Sequence, residues 1–187
     1  VEITPTTPIV AGQTTLPVGV AASFALKKFD TLQVMAATGD LSGTKVTSDQ
    51  PIAAYAGHEA TVIQNPFPFT GPCCADHLEE QLYPTSTWGR TFAIANGRQR
   101  VTGGHDYLRI VAQRPSTIVA FQPESAVYTT CTGKLLGPGE LCDAYITGDV
   151  ELRTSEPVLV GHYLVSLGGL SQNSGDPALA FVPPVEQ

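Results

Sequence analysis

Turn-forming residues interrupt this chain at short intervals, and their spacing limits what it can fold into. Glycine and proline account for 18 and 15 of the 187 residues, and turn-forming interruptions fall about every eight to fifteen residues, with β-branched and aromatic runs between them. Long helices do not fit between such interruptions. The pattern predicts an all-β, sandwich-like fold of short strands.

Six apolar runs are the clearest strand candidates. Residues 107–113 alternate well enough to predict one buried face and one face in water, whereas Val158-Leu159-Val160 indicates a strand buried on both faces. Gly137-Pro138-Gly139 forms a strong turn signal, so the runs on either side of it should form a hairpin. The six runs are residues 91–95, 107–113, 117–121, 126–131, 143–147 and 157–167.

Two segments do not fit the strand pattern cleanly. Residues 20–38 contain no glycine or proline, and their apolar residues satisfy both helical and alternating spacing; we interpret them as strand. Residues 76–82 begin with Asp76 and carry Glu79 three residues later, which resembles a helix capping box, and Pro84 follows. We therefore predict one short helical turn near residues 76–82.

A weak internal repeat suggests that the fold consists of two related β halves. Residues 47–58 (TSDQPIAAYAGH) resemble residues 154–162 (TSEPVLVGH), and each copy follows a Thr-Gly-Asp. In both copies a polar turn containing proline leads into an apolar run that ends on Gly-His. Chance similarity among Thr, Ser and Pro turns is the alternative.

The charge of the chain argues against nucleic-acid binding, and its hydropathy argues against a membrane-spanning segment. The net charge is −7 and the ten basic residues are scattered, whereas nucleic-acid binding needs clustered Lys and Arg. No apolar run is long enough to cross a membrane. The first residues do not form a signal peptide, so we expect residues 1–187 to be a single module excised from a larger surface protein.

The four cysteines favour an oxidising, extracellular or cell-surface location. Cys131 and Cys142 lie on the two arms of the predicted hairpin and are the favoured disulfide pair. Cys73 and Cys74 would then form a vicinal bridge or stay reduced. A crossed pairing, Cys73 or Cys74 with Cys131 or Cys142, remains the alternative.

A metal site is the weaker interpretation of the segment around the first two cysteines. Cys73, Cys74, His77 and Glu80 are close in sequence, and His77 and Glu80 would share a face if the helix formed. Zinc ligands are usually spaced by two to four residues, however, and adjacent cysteines point apart. We therefore expect no metal, no cofactor and no catalysis, with a metal-dependent enzyme as the least favoured reading.

Three aromatic residues are candidates for ligand contact. Phe67 and Phe69 lie between prolines in a loop and must either tuck under it or present an apolar patch. Trp88 could stack on a sugar ring if it is exposed, although burial against a sheet is the more common fate.

Three blocks of sequence resemble the IgGFc-binding protein N-terminal domain family, and they occur in the family's order. The blocks are residues 39–53 (GDLSGTKVTSDQPIA), residues 74–89 (CADHLEEQLYPTSTWG) and residues 175–187 (GDPALAFVPPVEQ). The middle block is the most specific. The chain departs from the family pattern after Gly57-His58, which lacks a cysteine that often pairs with the one before Asp76-His77; the family's usual disulfide is therefore in question.

The resemblance implies an extracellular β-rich module of mucus-associated and bacterial surface proteins. Its expected function is non-catalytic adhesion or recognition of a protein or glycan on a cell or mucus surface. A structural spacer in a surface fibre, in contact with further copies of itself as a homo-oligomer, is the alternative function.

Overall fold

Strands form nearly all the regular structure, which confirms the all-β prediction. The computed structural model describes residues 1–63, 74–97, 105–129, 131, 133–166 and 176–187. Within them every strand pairing is antiparallel. The strands are β1 (Glu2–Thr4), β2 (Ile9–Ala11), β3 (Thr14–Leu16), β4 (Ala22–Ser23), β5 (Val34–Ala36), β6 (Lys45–Thr47), β7 (Tyr55–Thr61), β8 (Asp76–Gln81), β9 (Gly89–Ile94), β10 (Asp106–Ala112), β11 (Thr117–Gln122), β12 (Val127–Thr129), β13 (Leu135–Leu136), β14 (Leu141–Ile146), β15 (Val150–Leu164) and β16 (Ala178–Phe181), and single-turn 3-10 helices span Thr85–Thr87 and Glu124–Ala126.

The 15-residue strand β15 organises the largest sheet. Its first part pairs with β9 and β11, and its second part pairs with β10 and β16. The pairing with β9 shifts register between Arg153 and Val158, and Pro157, which has no N–H to donate, lies in this interval. Strands β14 and β12 continue the sheet beyond β10.

Buried side chains from the strands paired with both parts of β15 pack into one hydrophobic cluster. Members of the cluster on the same strand lie an even number of residues apart, because successive side chains of a strand point to opposite faces of the sheet. Its buried members are Phe92, Ile94, Leu108, Ile110, Ala112, Val119, Phe121, Cys131, Leu136, Cys142, Ala144, Ile146, Val150, Leu152, Val158 and Val160.

All six predicted runs coincide with strands, β9, β10, β11, β12, β14 and β15. The largest difference is in β15, which begins at Val150 where the prediction began at residue 157. Val158 and Val160 are fully buried and Leu159 is nearly so, as a strand covered on both faces should be. Strand β10 differs from its prediction in one respect. The face expected to lie in water carries Tyr107, of which only 8% is exposed.

The first 47 residues form two three-stranded sheets, β4-β1-β6 and β3-β2-β5. They share a second, smaller hydrophobic cluster around Ile3, Ile9 and Leu16. Residues 20–38, which we interpreted as strand, contribute only the short strands β4 and β5, and the residues between them have no regular structure. Phe24 and Leu32 of this segment pack on the smaller cluster, so burial of single side chains explains the ambiguous apolar pattern.

The helical turn predicted at residues 76–82 is wrong. These residues form strand β8, which pairs with β7 in a two-stranded sheet. In a strand, alternate side chains face opposite ways, and Leu78 is the buried residue of β8. Pairing with a distant segment outweighs the local capping signal of Asp76 and Glu79, because cross-strand contacts decide β structure more than local propensity does.

The two copies of the repeat lie in different surroundings. The first ends in the exposed strand β7, whereas the second lies in the buried part of β15. His58 accepts a hydrogen bond from the backbone of Ala60, and His162 Nε2 lies 2.9 Å from Asp106. That the halves are related remains a prediction.

A disulfide joins Cys131 and Cys142, whose Cα atoms are 5.6 Å apart. Strands β12 and β14 pair as the hairpin prediction requires, and the N–H of Glu140 donates to the carbonyl of Gly137 to close the turn. This bridge leaves neither cysteine for a crossed pairing. Cys74 is also in a disulfide, and Cys73 lies outside the described residues.

Candidate functional site

A row of tyrosines crosses the outer face of the largest sheet. Tyr107 on β10 lies directly opposite Tyr145 on β14 and Tyr163 on β15. Its ring centroid is 5.1 Å from each of the other two, and the rings are tilted by 44° and 49°. Such tilted aromatic contacts are favourable. Tyr128 on β12, directly opposite Tyr145 and 56% exposed, extends the row towards solvent.

Arg109 occupies the next outward position along β10, directly opposite Asp143. Its Nε and Nη2 donate to the two carboxylate oxygens of Asp143 at 3.0 and 3.2 Å, a bidentate pair of the kind that fixes guanidinium orientation. The guanidinium also lies 5.7 Å from the ring centroid of Tyr107. Its Nη1 donates to Asp40 and to the hydroxyl of Ser42, which belong to the N-terminal part of the chain.

The loop of residues 38–44 brings Asp40 to this sheet. Asp40 Oδ1 accepts the N–H of Ser42 at 2.8 Å, and the hydroxyl of Thr6 donates to the carbonyl of Ser42 at 2.9 Å. Gly43 lies against the turn at Gly139 so closely that a Cβ on Gly43 would be 2.1 Å from the carbonyl oxygen of Gly139. Two glycines therefore let the loop dock where Arg109 can reach it.

The tyrosines and the docked loop border an open cleft of about 310 Å³. The segment after β7 forms another wall, fixed by two hydrogen bonds: the N–H of Ile63 donates to the hydroxyl of Ser166, and the N–H of Ser166 donates to the carbonyl of Ile63. The residues lining the cleft are Asp40, Thr61, Val62, Ile63, Tyr107, Arg109, Tyr145 and Tyr163. We call it the tyrosine cleft.

Burial raises the pKa of all three tyrosines. A hydrogen bond with Asp143 raises that of Tyr107 further. The pKa of Asp40 is lowered: burial works against this, but hydrogen bonds from Ser42 and the charge of Arg109 outweigh it. Burial also opposes the charge on Arg109, yet its bonds to Asp143 raise its pKa.

These shifts define what the cleft offers to another molecule. Its phenols are neutral over the physiological range and present aromatic faces and hydroxyl groups. The guanidinium of Arg109 is occupied by two carboxylates, and Asp40, Asp143 and Arg109 together carry a single negative charge. The arrangement suits contact with an aromatic or cationic side chain.

Of the residues singled out from the sequence, those that the structure describes do not line this cleft. Phe67, Phe69 and Cys73 are outside the described residues. Trp88 is half-buried, and its Nε1 donates to the carbonyl of Tyr83 at 3.2 Å, which orients the ring against its own loop. Contact of these aromatic residues with a ligand stays a prediction.

The suspected metal ligands that the structure describes, Cys74, His77 and Glu80, are not gathered into one site. His77 and Glu80 are three residues apart in strand β8, so their side chains leave opposite faces, and Cys74 is held in a disulfide. No group of three or more His, Cys, Asp or Glu is gathered as metal ligands would be in the described parts of the chain. In those parts, no helix is both long and apolar enough to span a bilayer.

Sequence reasoning missed the tyrosine cleft because its members come from distant strands. The available signal was the repeated spacing of Tyr107 with Arg109 and of Asp143 with Tyr145, each two residues apart within a predicted strand. Side chains two residues apart in a strand lie on the same face of the sheet. The signal does not say which strands are neighbours.

Short antiparallel strands and a buried disulfide define this chain as a disulfide-bonded, all-β protein. The chain belongs to the IgGFc binding protein family, whose sequence model matches residues 1–187. It is 31% identical to the human IgGFc-binding protein over 78 residues, which are 42% of this chain and 1% of the human protein. No solved structure matches the chain.

Proposed function

We propose that this chain is a non-catalytic, extracellular recognition module whose tyrosine cleft binds a side chain of a protein partner. The row of Tyr107, Tyr145 and Tyr163 carries the proposal, because tyrosine and arginine are the residues over-represented in the energetic centres of protein interfaces. Two χ angles per tyrosine limit the entropy lost on binding.

The size of the cleft supports a protein partner over a small molecule. At about 310 Å³ it is at the lower end of ligand pockets, so it admits one side chain more readily than a whole ligand. The family name supports the same class of partner. The Cys131–Cys142 disulfide supports an oxidising, extracellular setting.

We further propose that residues 1–187 act as a single module. The family match spans both hydrophobic clusters, and the contact of Arg109 with Asp40 joins the parts that contain them. A glycan partner and a spacer role are the competing proposals, and a binding panel separates them.

The panel consists of the Fc fragment of IgG, the Fab fragment of the same antibody, and a mucin before and after removal of its glycans. We expect binding to a protein probe, and we expect Tyr145→Thr to weaken it about fivefold or more, because truncation of a central interface tyrosine costs over about 1 kcal/mol. Threonine preserves strand propensity at this position. Surface plasmon resonance gives both affinities.

Tyr55→Thr is the matched control. Tyr55 is also a strand tyrosine, 61% exposed, but it lies on β7 away from the cleft lining. The proposal requires full binding by this variant. Equal binding by wild type and Tyr145→Thr would contradict it, and binding only to the glycosylated mucin would favour the glycan alternative.

A further inference from the structure

Phe29 is displayed to solvent at the tip of a tight turn. Its side chain is 90% exposed, the largest value among the exposed large hydrophobic residues described. The N–H of Asp30 donates to the carbonyl of Lys27 at 3.0 Å, and the carboxylate of Asp30 accepts the N–H of Lys27 at 2.8 Å. These bonds close a four-residue turn around Lys28 and Phe29.

The backbone of Phe29 is strained, and its side chain is not buried against the fold. Its φ is +72°, and it occupies the third turn position, where a positive φ normally requires Gly or Asn. A bulky side chain in this region of φ is an outlier. Strained residues cluster at functional positions. Because the fold does not need this strain, it indicates a role for Phe29 in contact with another molecule.

The surroundings of Phe29 indicate what it contacts. Lys27 and Lys28 flank it in a chain whose net charge is −7, and Lys28 Nζ lies 4.9 Å from the Phe29 ring centroid. A complementary partner has an aromatic or apolar recess bordered by carboxylates. We call residues 27–30 the phenylalanine turn.

The tyrosine cleft has these properties. Three tyrosine rings and Asp40 line it, and its volume suits one side chain. Asp143 lies beside the lining residue Arg109, and the two carboxylates, 52% and 43% exposed, leave one net negative charge after pairing with Arg109. We propose that Phe29 of one copy of this chain inserts into the tyrosine cleft of a second copy. The inference rests on the proposed function of the cleft as a protein-binding surface and names a second copy as its partner.

Such a contact joins two different surfaces, so it is heterologous and leaves a free turn and a free cleft at the ends of each assembly. Wild-type chain should therefore form dimers and longer assemblies as its concentration rises. Two variants each remove one half of the contact. Phe29→Asn relieves the positive-φ strain and removes the ring, and Thr61→Lys places a positive charge in the cleft lining that repels the lysines of the turn.

Sedimentation velocity of the separate and mixed variants tests the proposal. Each variant alone should sediment as a monomer at concentrations where wild type associates. Their equimolar mixture should form a one-to-one complex and nothing longer, because one partner supplies the cleft and the other the turn. Tyr145→Thr is the second cleft variant and should behave as Thr61→Lys does.

Stability separates loss of contact from loss of fold. Phe29→Asn should leave Tm unchanged or raise it by about 2–4 °C, since it removes strain and no buried contact. Val185→Asn, at a residue that is also apolar and 63% exposed, is the control and should associate as wild type does. Association of Phe29→Asn alone, or a mixture that stays monomeric, would overturn the inference.

Failure of this inference is distinguishable from failure of the proposed function. If the cleft binds an external protein but no copy of itself, Phe29→Asn changes neither the binding panel nor sedimentation, and only the inference falls. If Tyr145→Thr binds the probe with the affinity of wild type, both the inference and the function proposed for the cleft are wrong.

Discussion

Single residues join the two parts of this molecule. Arg109 reaches from the middle strand of the tyrosine row to Asp40 on a loop that belongs to the N-terminal sheets. That loop approaches the larger sheet only because Gly43 and Gly139 have no side chains. The shape of the cleft therefore depends on two glycines, which have no functional group of their own.

We predict that Gly43→Ala destabilises the protein by about 3 kcal/mol, because its Cβ meets the backbone of Gly139 and its φ of +85° is unfavourable for alanine. Gly12→Ala is the matched control, since Gly12 also has a positive φ, +59°, but has no atom within 4 Å of the added Cβ. It should cost only about 1 kcal/mol. Urea denaturation measures both. Equal losses would show that the close approach has no energetic role.

At the scale of elements, the disulfide hairpin closes one end of the main core. Cys131 and Cys142 are both almost fully buried members of the larger hydrophobic cluster. The Cys131→Ala, Cys142→Ala double variant should lose roughly 3 kcal/mol, the cost of releasing a loop that spans 11 residues in the unfolded chain. Cys131→Ala alone should lose nearly as much, because both variants break one bridge. A loss under about 0.5 kcal/mol would contradict this account.

Six strands of the main sheet could be predicted from the sequence because each run carries its own alternating or apolar pattern, whereas the short strands β13 and β16 were not predicted. Strand β8 could not, since the local signal of Asp76 and Glu79 is typical of a helix start and the deciding partner, β7, lies outside the segment that carries this signal. The tyrosine cleft could not be predicted for a related reason. Tyr107, Tyr145 and Tyr163 all lay in predicted strands, but the order β14-β10-β15 is set by the topology of the whole sheet.

At the scale of the whole molecule, two hydrophobic clusters are linked by an ion pair. The N-terminal sheets pack around Ile3, Ile9 and Leu16, and the larger cluster lies within the sheet that β15 crosses. Asp40 and Arg109 connect them at the edge of the tyrosine cleft. Conditions that weaken this pair should loosen the cleft before the main core unfolds.

This link predicts a dependence of stability on pH. The pKa of folded Asp40 is below its ordinary value of 3.8, so its contribution to stability is complete above that value and is lost as pH falls through the lowered folded pKa. Wild type should lose stability more steeply than Asp40→Asn at the acid end of a series from about pH 7 to about pH 2. Urea midpoints at each pH provide the comparison. Parallel curves would show that Asp40 does not contribute.

Nuclear magnetic resonance shows directly whether a bound protein partner occupies the tyrosine cleft. The labelled chain is titrated with the protein probe that binds in the panel, and backbone amide and tyrosine ring signals are followed. The account predicts the largest shifts at Tyr145, Tyr163 and Arg109, with the signals of Tyr55 on β7 unchanged. Shifts that avoid these cleft residues and concentrate elsewhere on the surface would contradict it.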